Sequence, residues 1–232
     1  MLFFGQKINR RGEIVWSHWD RKVSHDADRL PNGNTIYVFG DSDQIDDAQV
    51  KEVNPEGEIV WSWYAKDHFY TPKYRDIYDS DWTHTNAVTR LENGNTLISP
   101  RNFNCLVELD AEGEVVDIIG EGYLDAQHDP EVLPNGNILV ASHGRPQEVL
   151  EIDAKTDKIV WRFTMPKPQV WPIRDADRLP NGNTLITGST AIVEVTPEKE
   201  IVWRLRLKDS VISTRRDAPA KGFFKAQRIG AR

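Results

Sequence analysis

Four of the six histidines stand at fixed distances from a recurring Asn-Gly pair, or beside a residue that does. His25, Asn86, His128 and Arg174 each lie five residues before the leucine that precedes the pair (Leu30, Leu91, Leu133, Leu179). Gly40, Arg101, His143 and Ser189 each lie seven residues after its glycine (Gly33, Gly94, Gly136, Gly182). His84 is two residues before Asn86, so on a strand the two side chains point to the same side. An imidazole near neutral pH can act as nucleophile, proton carrier or metal ligand. Guanidinium and amide groups hold anions. If equivalent positions converge, they make a pocket that binds an anion and works on it with histidine.

The elements that must position these residues are hairpins. One unit, HDADRLPNGNTIYVF at 25–39, returns at 86–99, 128–142 and 174–188. A second, INRRGEIVW at 8–16, returns at 53–61, 109–117, 152–160 and 195–203. The two alternate along the chain. Asn-Gly between apolar, β-branched flanks marks a tight turn, as do Pro-Glu-Gly at 55–57 and Ala-Glu-Gly at 111–113. Two hairpins make the four strands of one propeller blade, so the pattern predicts an all-β propeller of four-stranded antiparallel blades in a single domain spanning 1–232.

Four complete blades fall at about 25–64, 86–120, 128–164 and 174–207, and the N-terminus adds one hairpin near 3–18. Near the C-terminus, Phe224–Gly230 overlays His25–Pro31 position by position, which places Phe224 in the row of His25, Asn86, His128 and Arg174. This predicts a fifth, composite blade that closes the ring with strands from both ends; a sixth would need strands the sequence does not show. Trp16, Trp61, Trp161 and Trp203 recur in the second unit and read as packing between blades.

The connection from Trp63 to Asn86 is long and aromatic, with Tyr64, Phe69, Tyr70, Tyr74, Tyr78 and Trp82. It reads either as a lid or wall for a flat substrate or as a loop packed on itself. Asp41, Asp43, Asp46 and Asp47 read as a solvated turn, because the glycine and terminal glutamate of a calcium loop are missing. Cys105, the single cysteine, is assigned no role.

A net charge of −7 without a basic stripe argues against nucleic acid as partner. No apolar run is long enough to span a bilayer, so no membrane role is expected. The N-terminal sequence does not read as a signal peptide, and with one cysteine this points to the cytoplasm, or to the periplasm or exterior if a leader was trimmed.

Over nearly its whole length the chain resembles the arylsulfotransferase family, the nucleotide-independent aryl-sulfate sulfotransferases. The segments that carry the likeness are SHDADRLPNGNT, DWTHTNAVTRLENGNTLISPRNFN, QHDPEVLPNGNILVASH and WPIRDADRLPNGNTLITG. It looks more like short archaeal-type relatives than like the longer, six-bladed bacterial members. The resemblance implies that His128 is the nucleophile and that His25, His84, Asn86 and Arg101 bind the sulfuryl group. On that reading His128 takes the group from an aryl sulfate as a sulfohistidine and passes it to a phenol, with no cofactor. His84 or His25 serves as acid and base, and Arg174 and His143 border the substrate. Two other readings stay open: a metalloenzyme with His25, His84 and His128 as ligands, and a non-catalytic binding or assembly module.

Overall fold

The computed structural model describes residues 4–77, 81–166, 172–207 and 222–228, and of 4–8 the backbone alone. The chain divides into two compact units, Met1–Gly122 and Tyr123–Arg232. The first begins with a hairpin, β1 (Phe4–Ile8) and β2 (Ile14–Trp19). Two four-stranded antiparallel blades follow. One comprises β3 (Ser24–Arg29), β4 (Thr35–Val38), β5 (Val50–Val53) and β6 (Ile59–Trp63). The other comprises β7 (Thr85–Arg90), β8 (Thr96–Pro100), β9 (Leu106–Leu109) and β10 (Val115–Ile119). The second unit has β11 (Gln127–Val132), β12 (Ile138–Ser142), β13 (Glu148–Asp153) and β14 (Lys158–Thr164) in one blade. Its other blade is β15 (Ile173–Arg178), β16 (Thr184–Gly188), β17 (Ala191–Val195) and β18 (Ile201–Arg206). The fold is an all-β propeller type with four four-stranded blades among the described residues.

The expected count of five is thereby corrected. Gly222–Arg228 lies in no strand, and among the described residues β1 and β2 form a two-stranded sheet only. Met1–Phe3 and 229–232 lie outside the described residues. The register of the C-terminal run nevertheless follows the overlay, as the contacts of its arginine show.

Each blade turns its Asn-Gly corner in the same way. The leucine carbonyl accepts from the glycine amide, at 3.0 Å for Leu30 and Gly33, and Asn32 Oδ1 accepts from the Asn34 amide at 2.9 Å. Gly33 takes φ of +89°, which only glycine adopts without strain. The second asparagine then donates across the blade to a third-strand glutamate: Asn34 to Glu52, Asn95 to Glu108 and Asn137 to Glu151, each at 2.6 Å, and Asn183 to Glu194 at 2.7 Å.

Three of these glutamates also receive an arginine from the next repeat. Arg90 pairs with Glu52 at 2.8 Å and lies over Trp61, and Arg178 pairs with Glu151 at 2.9 Å and lies over Trp161. Arg228 does the same with Glu194 and Trp203. Glu52, Glu151 and Glu194 face those tryptophans across the β-ladder, as expected for side chains that pack between repeats. In the second blade Asp117 faces Glu108 instead, and there the bond from Asn95 is the glutamate's hydrogen bond among the described residues.

Apolar alternation fills the core of each unit. Ile36, Val38, Val50, Val88, Ile98 and Val107 are fully or nearly fully buried in the first, and Leu139, Val149, Ile186 and Val193 in the second. Within each unit the first strands lie side by side, β3 by β7 and β11 by β15, which brings the starts of those strands together. Glu151→Ala strands both Asn137 and Arg178 and is expected to cost about 2–3 kcal/mol. Glu108→Ala, which frees one amide, is expected to cost about 1 kcal/mol. Thermal unfolding of the two variants checks the ranking, and equal losses would show that the arginine contributes nothing.

Candidate functional site

The residues selected from the sequence sit where the first strand of each blade breaks its ladder. The register shifts between Ser24 and Ala27, Thr85 and Val88, His128 and Glu131, and Ile173 and Asp175. A bulge re-aims the side chains that it carries, and in three blades it holds His25, Asn86 or Arg174; in the β11 blade it follows His128.

In the first unit His25 and His84 meet, with ring centroids 4.7 Å apart and planes at 66°. His25 has φ of +55°, a backbone setting costly for a residue with a Cβ. Its Nδ1 lies 3.2 Å from the Ser24 hydroxyl, whose oxygen already accepts from the Gly40 amide at 2.9 Å and the Asp41 amide at 3.2 Å. The hydroxyl hydrogen therefore goes to His25 Nδ1, and Nε2 carries the ring proton. Desolvation, then the neighbouring His84, pushes the His25 imidazole down to about 4, although part of the ring meets solvent. His25 is thus a neutral N–H donor at physiological pH.

His84 has the opposite tautomer. Its Nδ1 is 2.8 Å from both carboxylate oxygens of Asp81. A carboxylate only accepts, so Nδ1 donates and Nε2 is the atom left to exchange a proton. Burial raises the Asp81 carboxyl, but hydrogen bonds from His84 and the Ser42 amide outweigh it and hold the carboxyl below its ordinary range. Asp43, completely buried, accepts from the Thr83 amide and hydroxyl, the His84 amide and Gln49. Burial pushes its carboxyl up, and those donors oppose the shift.

The solvated-turn reading is therefore wrong for Asp43, which fixes the backbone at His84. Sequence reasoning missed Asp81 as well; the spacing Asp81-Trp82-Thr83-His84 was the available signal.

The aromatic connection supports the same corner from beneath. Phe69, Tyr74 and Trp82 are buried against Phe103, and the Trp82 indole donates to the Tyr74 carbonyl at 2.8 Å. Of the two readings, packing on itself holds for these three; Tyr64 and Tyr70 are exposed, and Tyr78 lies outside the described residues.

Arg101 opens the short 3₁₀ turn Arg101–Phe103 after β8. Its charge acts on both His25 and Asp81. Its Nε is buried without a hydrogen-bond partner, and among the described residues no carboxylate forms an ion pair with it. Asn86, in the bulge of β7, is 7% exposed.

In the second unit His128 and His143 stack, with centroids 4.6 Å apart and planes at 28°. His128 Nδ1 is 2.9 Å from the Ala126 carbonyl, which can only accept. Nδ1 is therefore protonated, and in the neutral ring Nε2 holds the lone pair. Arg174 is half-buried with its guanidinium 4.9 Å from the Phe224 ring centroid, and burial lowers its pKa. Asp175 is 2% exposed, and burial with the adjacent Asp129 and Asp177 carboxylates raises its pKa. Lys225 pairs with Asp129 at 2.6 Å.

Among the described residues no group of three or more His, Cys, Asp or Glu side chains is placed to hold a metal ion. An Arylsulfotransferase (ASST) family model matches residues 4–122, more than half of the chain.

The chain belongs to the arylsulfotransferase family. No curated protein matches its sequence. Among solved structures, a protein of unknown function from Bacteroides caccae gives a TM-score of 0.58 at 17% identity, covering 87% of this chain and 74% of that one. Virginiamycin B lyase from Staphylococcus aureus gives 0.57 at 14% identity, covering 96% of this chain and 62% of the lyase. The WD40 β-propeller domain of Doa1 gives 0.55 at 15%, covering 76% of this chain and 52% of that one. These likenesses show the fold. The chain spans less than two thirds of the lyase and Doa1 structures.

The matched region contains His25, His84, Asn86 and Arg101, and His128, His143 and Arg174 lie beyond it. Among the described residues no helix is long and apolar enough to cross a membrane.

Nitrogen-15 NMR of the imidazoles tests the proton assignments. His25 is expected to stay neutral, protonated at Nε2, until about pH 4. Because its folded pKa lies below the unfolded value, its contribution to stability is full above about pH 6.5 and is lost as pH falls through about 4. Asp81→Asn should scramble the His84 tautomer and leave that of His25 unchanged. A His25 that titrates at its ordinary value would overturn the assignment.

Proposed function

We propose that this chain transfers a sulfuryl group from an aryl sulfate to a phenol through a sulfohistidine on His128. The observation that carries the reading is Arg101: a guanidinium with a buried, unpartnered Nε and, among the described residues, no carboxylate in an ion pair, beside two histidines of opposite tautomer. Such a cation is prepared for an anion. Family membership supports aryl sulfate as that anion and a phenol as acceptor.

The tautomers divide the labour. His25, neutral with its proton on Nε2, donates to a sulfuryl oxygen together with Arg101 and Asn86. His128 presents the Nε2 lone pair, since its Nδ1 proton is committed to the Ala126 carbonyl. Attack forms the N–S bond as the S–O(aryl) bond breaks, and the electron pair leaves with the phenoxide. Protonated His84, steadied by Asp81, gives its Nε2 proton to that oxygen. The neutral ring then takes the proton of the incoming phenol as its oxygen attacks sulfur and the N–S bond breaks. Protons balance over the cycle, and His84 returns to its starting form. Asp81 favours His84 over His25 for this step, because it holds the His84 Nδ1 proton and leaves Nε2 to exchange the other.

Incubation with 4-nitrophenyl sulfate followed by intact-protein mass spectrometry is the direct test. The wild type should gain one sulfuryl group, lost again on addition of phenol, and His128→Ala should neither gain the adduct nor transfer. Arg101→Ala is expected to slow transfer about 10²-fold with the fold intact. His84→Ala should slow poor leaving groups far more than nitrophenoxide. Full activity in His128→Ala would overturn the nucleophile assignment.

A further inference from the structure

The clasping arginine gives a ruler. Counting back four residues from Arg90 and Arg178 reaches Asn86 and Arg174, and the same count from Arg29, which lies over Trp16 and among the described residues pairs with no glutamate, reaches His25. Arg228 makes the same contacts with Glu194 and Trp203 that Arg90 and Arg178 make with their own glutamate and tryptophan. Four residues before it stands Phe224. A second contact agrees: the Phe223 amide donates to the Ser189 carbonyl at 3.1 Å, and an added Cβ on Gly222 would lie 2.0 Å from that oxygen. In the first blade an added Cβ on Gly40, the equivalent of Ser189, would lie 1.8 Å from the Thr85 carbonyl oxygen, and Thr85 is the equivalent of Phe223. Phe224 therefore occupies the position filled elsewhere by His25, Asn86, His128 and Arg174, without belonging to a strand.

Its exposure is not looseness. Phe223 and Ala226 pack on Leu179, Leu185 and Ile192, Lys225 pairs with Asp129, and Arg228 holds Glu194. Anchored on both sides, Phe224 is still 49% exposed. One side of it meets the Arg174 guanidinium, 4.9 Å from the ring centroid. Among the described residues Arg174 forms no ion pair, so the edge of its planar fork is not taken by a carboxylate. An aromatic surface and a half-buried cation lie together at one functional position.

We propose that Phe224 and Arg174 form a subsite for an aromatic anion, in which the Phe224 ring stacks the aryl group and the edge of Arg174 takes the negative charge. It extends the transferase reading by naming the residue that selects aryl over alkyl esters.

The test separates the two claims. Benzenesulfonate and methanesulfonate carry a C–S bond, so neither donates its group, and calorimetry reads binding alone. The wild type should prefer benzenesulfonate. Phe224→Leu should cut that preference about 3- to 10-fold while methanesulfonate affinity holds, the scale of one aromatic pair. Phe224→Trp should keep it, and Arg174→Gln should weaken both ligands. A merely structural role would lower both affinities in Phe224→Leu and leave their ratio unchanged; that result, or a wild type that binds neither ligand, overturns the subsite. If the preference depends on Phe224 but no sulfuryl transfer occurs with any phenol, the subsite stands and the transferase reading falls. Transfer with an aryl preference indifferent to Phe224→Leu does the reverse.

Discussion

A third-strand glutamate shared between an asparagine of its own blade and an arginine of the next repeat is the interaction on which the rest depends. The carboxylate is largely buried, so it requires partners with fixed geometry. Asparagine ties it to the Asn-Gly corner, arginine ties it to the following repeat, and tryptophan shields the arginine from water on one face. The arginine ends a first strand, and the bulge a few residues earlier carries Asn86 or Arg174. The clasp thus sets the distance from a rigid anchor to each such side chain. Where Arg228 repeats it, a segment with no ladder of its own is held in the same register.

Positive backbone φ at His25 and His84 and the buried Asp43 are costs that the surrounding hydrogen bonds offset. In return, two neighbouring rings have fixed and opposite proton positions. Serine, held by two amides, fixes one; aspartate, held by another amide, fixes the other. The asymmetry is decided by groups one shell behind the imidazoles.

Much of this was legible in the sequence, because repetition converts one turn signal into a scaffold. Asn-Gly pairs placed the hairpins, and the indices from leucine and glycine picked out His25, His84, His128 and His143, which the structure pairs ring to ring within each unit. The fifth blade was read from the sequence in error, since among the described residues Gly222–Arg228 forms no strand. The overlay of Phe224–Arg228 on the first strand was right about register and silent about pairing, which needs a partner strand and not merely a matching sequence. Asp43 and Asp81 escaped for a different reason. An acidic run looks solvated by composition, and only the fold shows that one of its carboxylates faces inward onto the amides of a turn. The aromatic connection had the composition of both a lid and a small core, and the burial of Phe69, Tyr74 and Trp82 decided for the core.

Gly40 has a consequence for how such a site evolves. Repeats diversify by changing equivalent positions independently, and at this one the chain has explored arginine, histidine and serine. The first blade cannot take part, because any side chain at Gly40 would run into the Thr85 carbonyl. The backbone of one repeat therefore vetoes variation in its neighbour, and this position is left to vary in the other three blades.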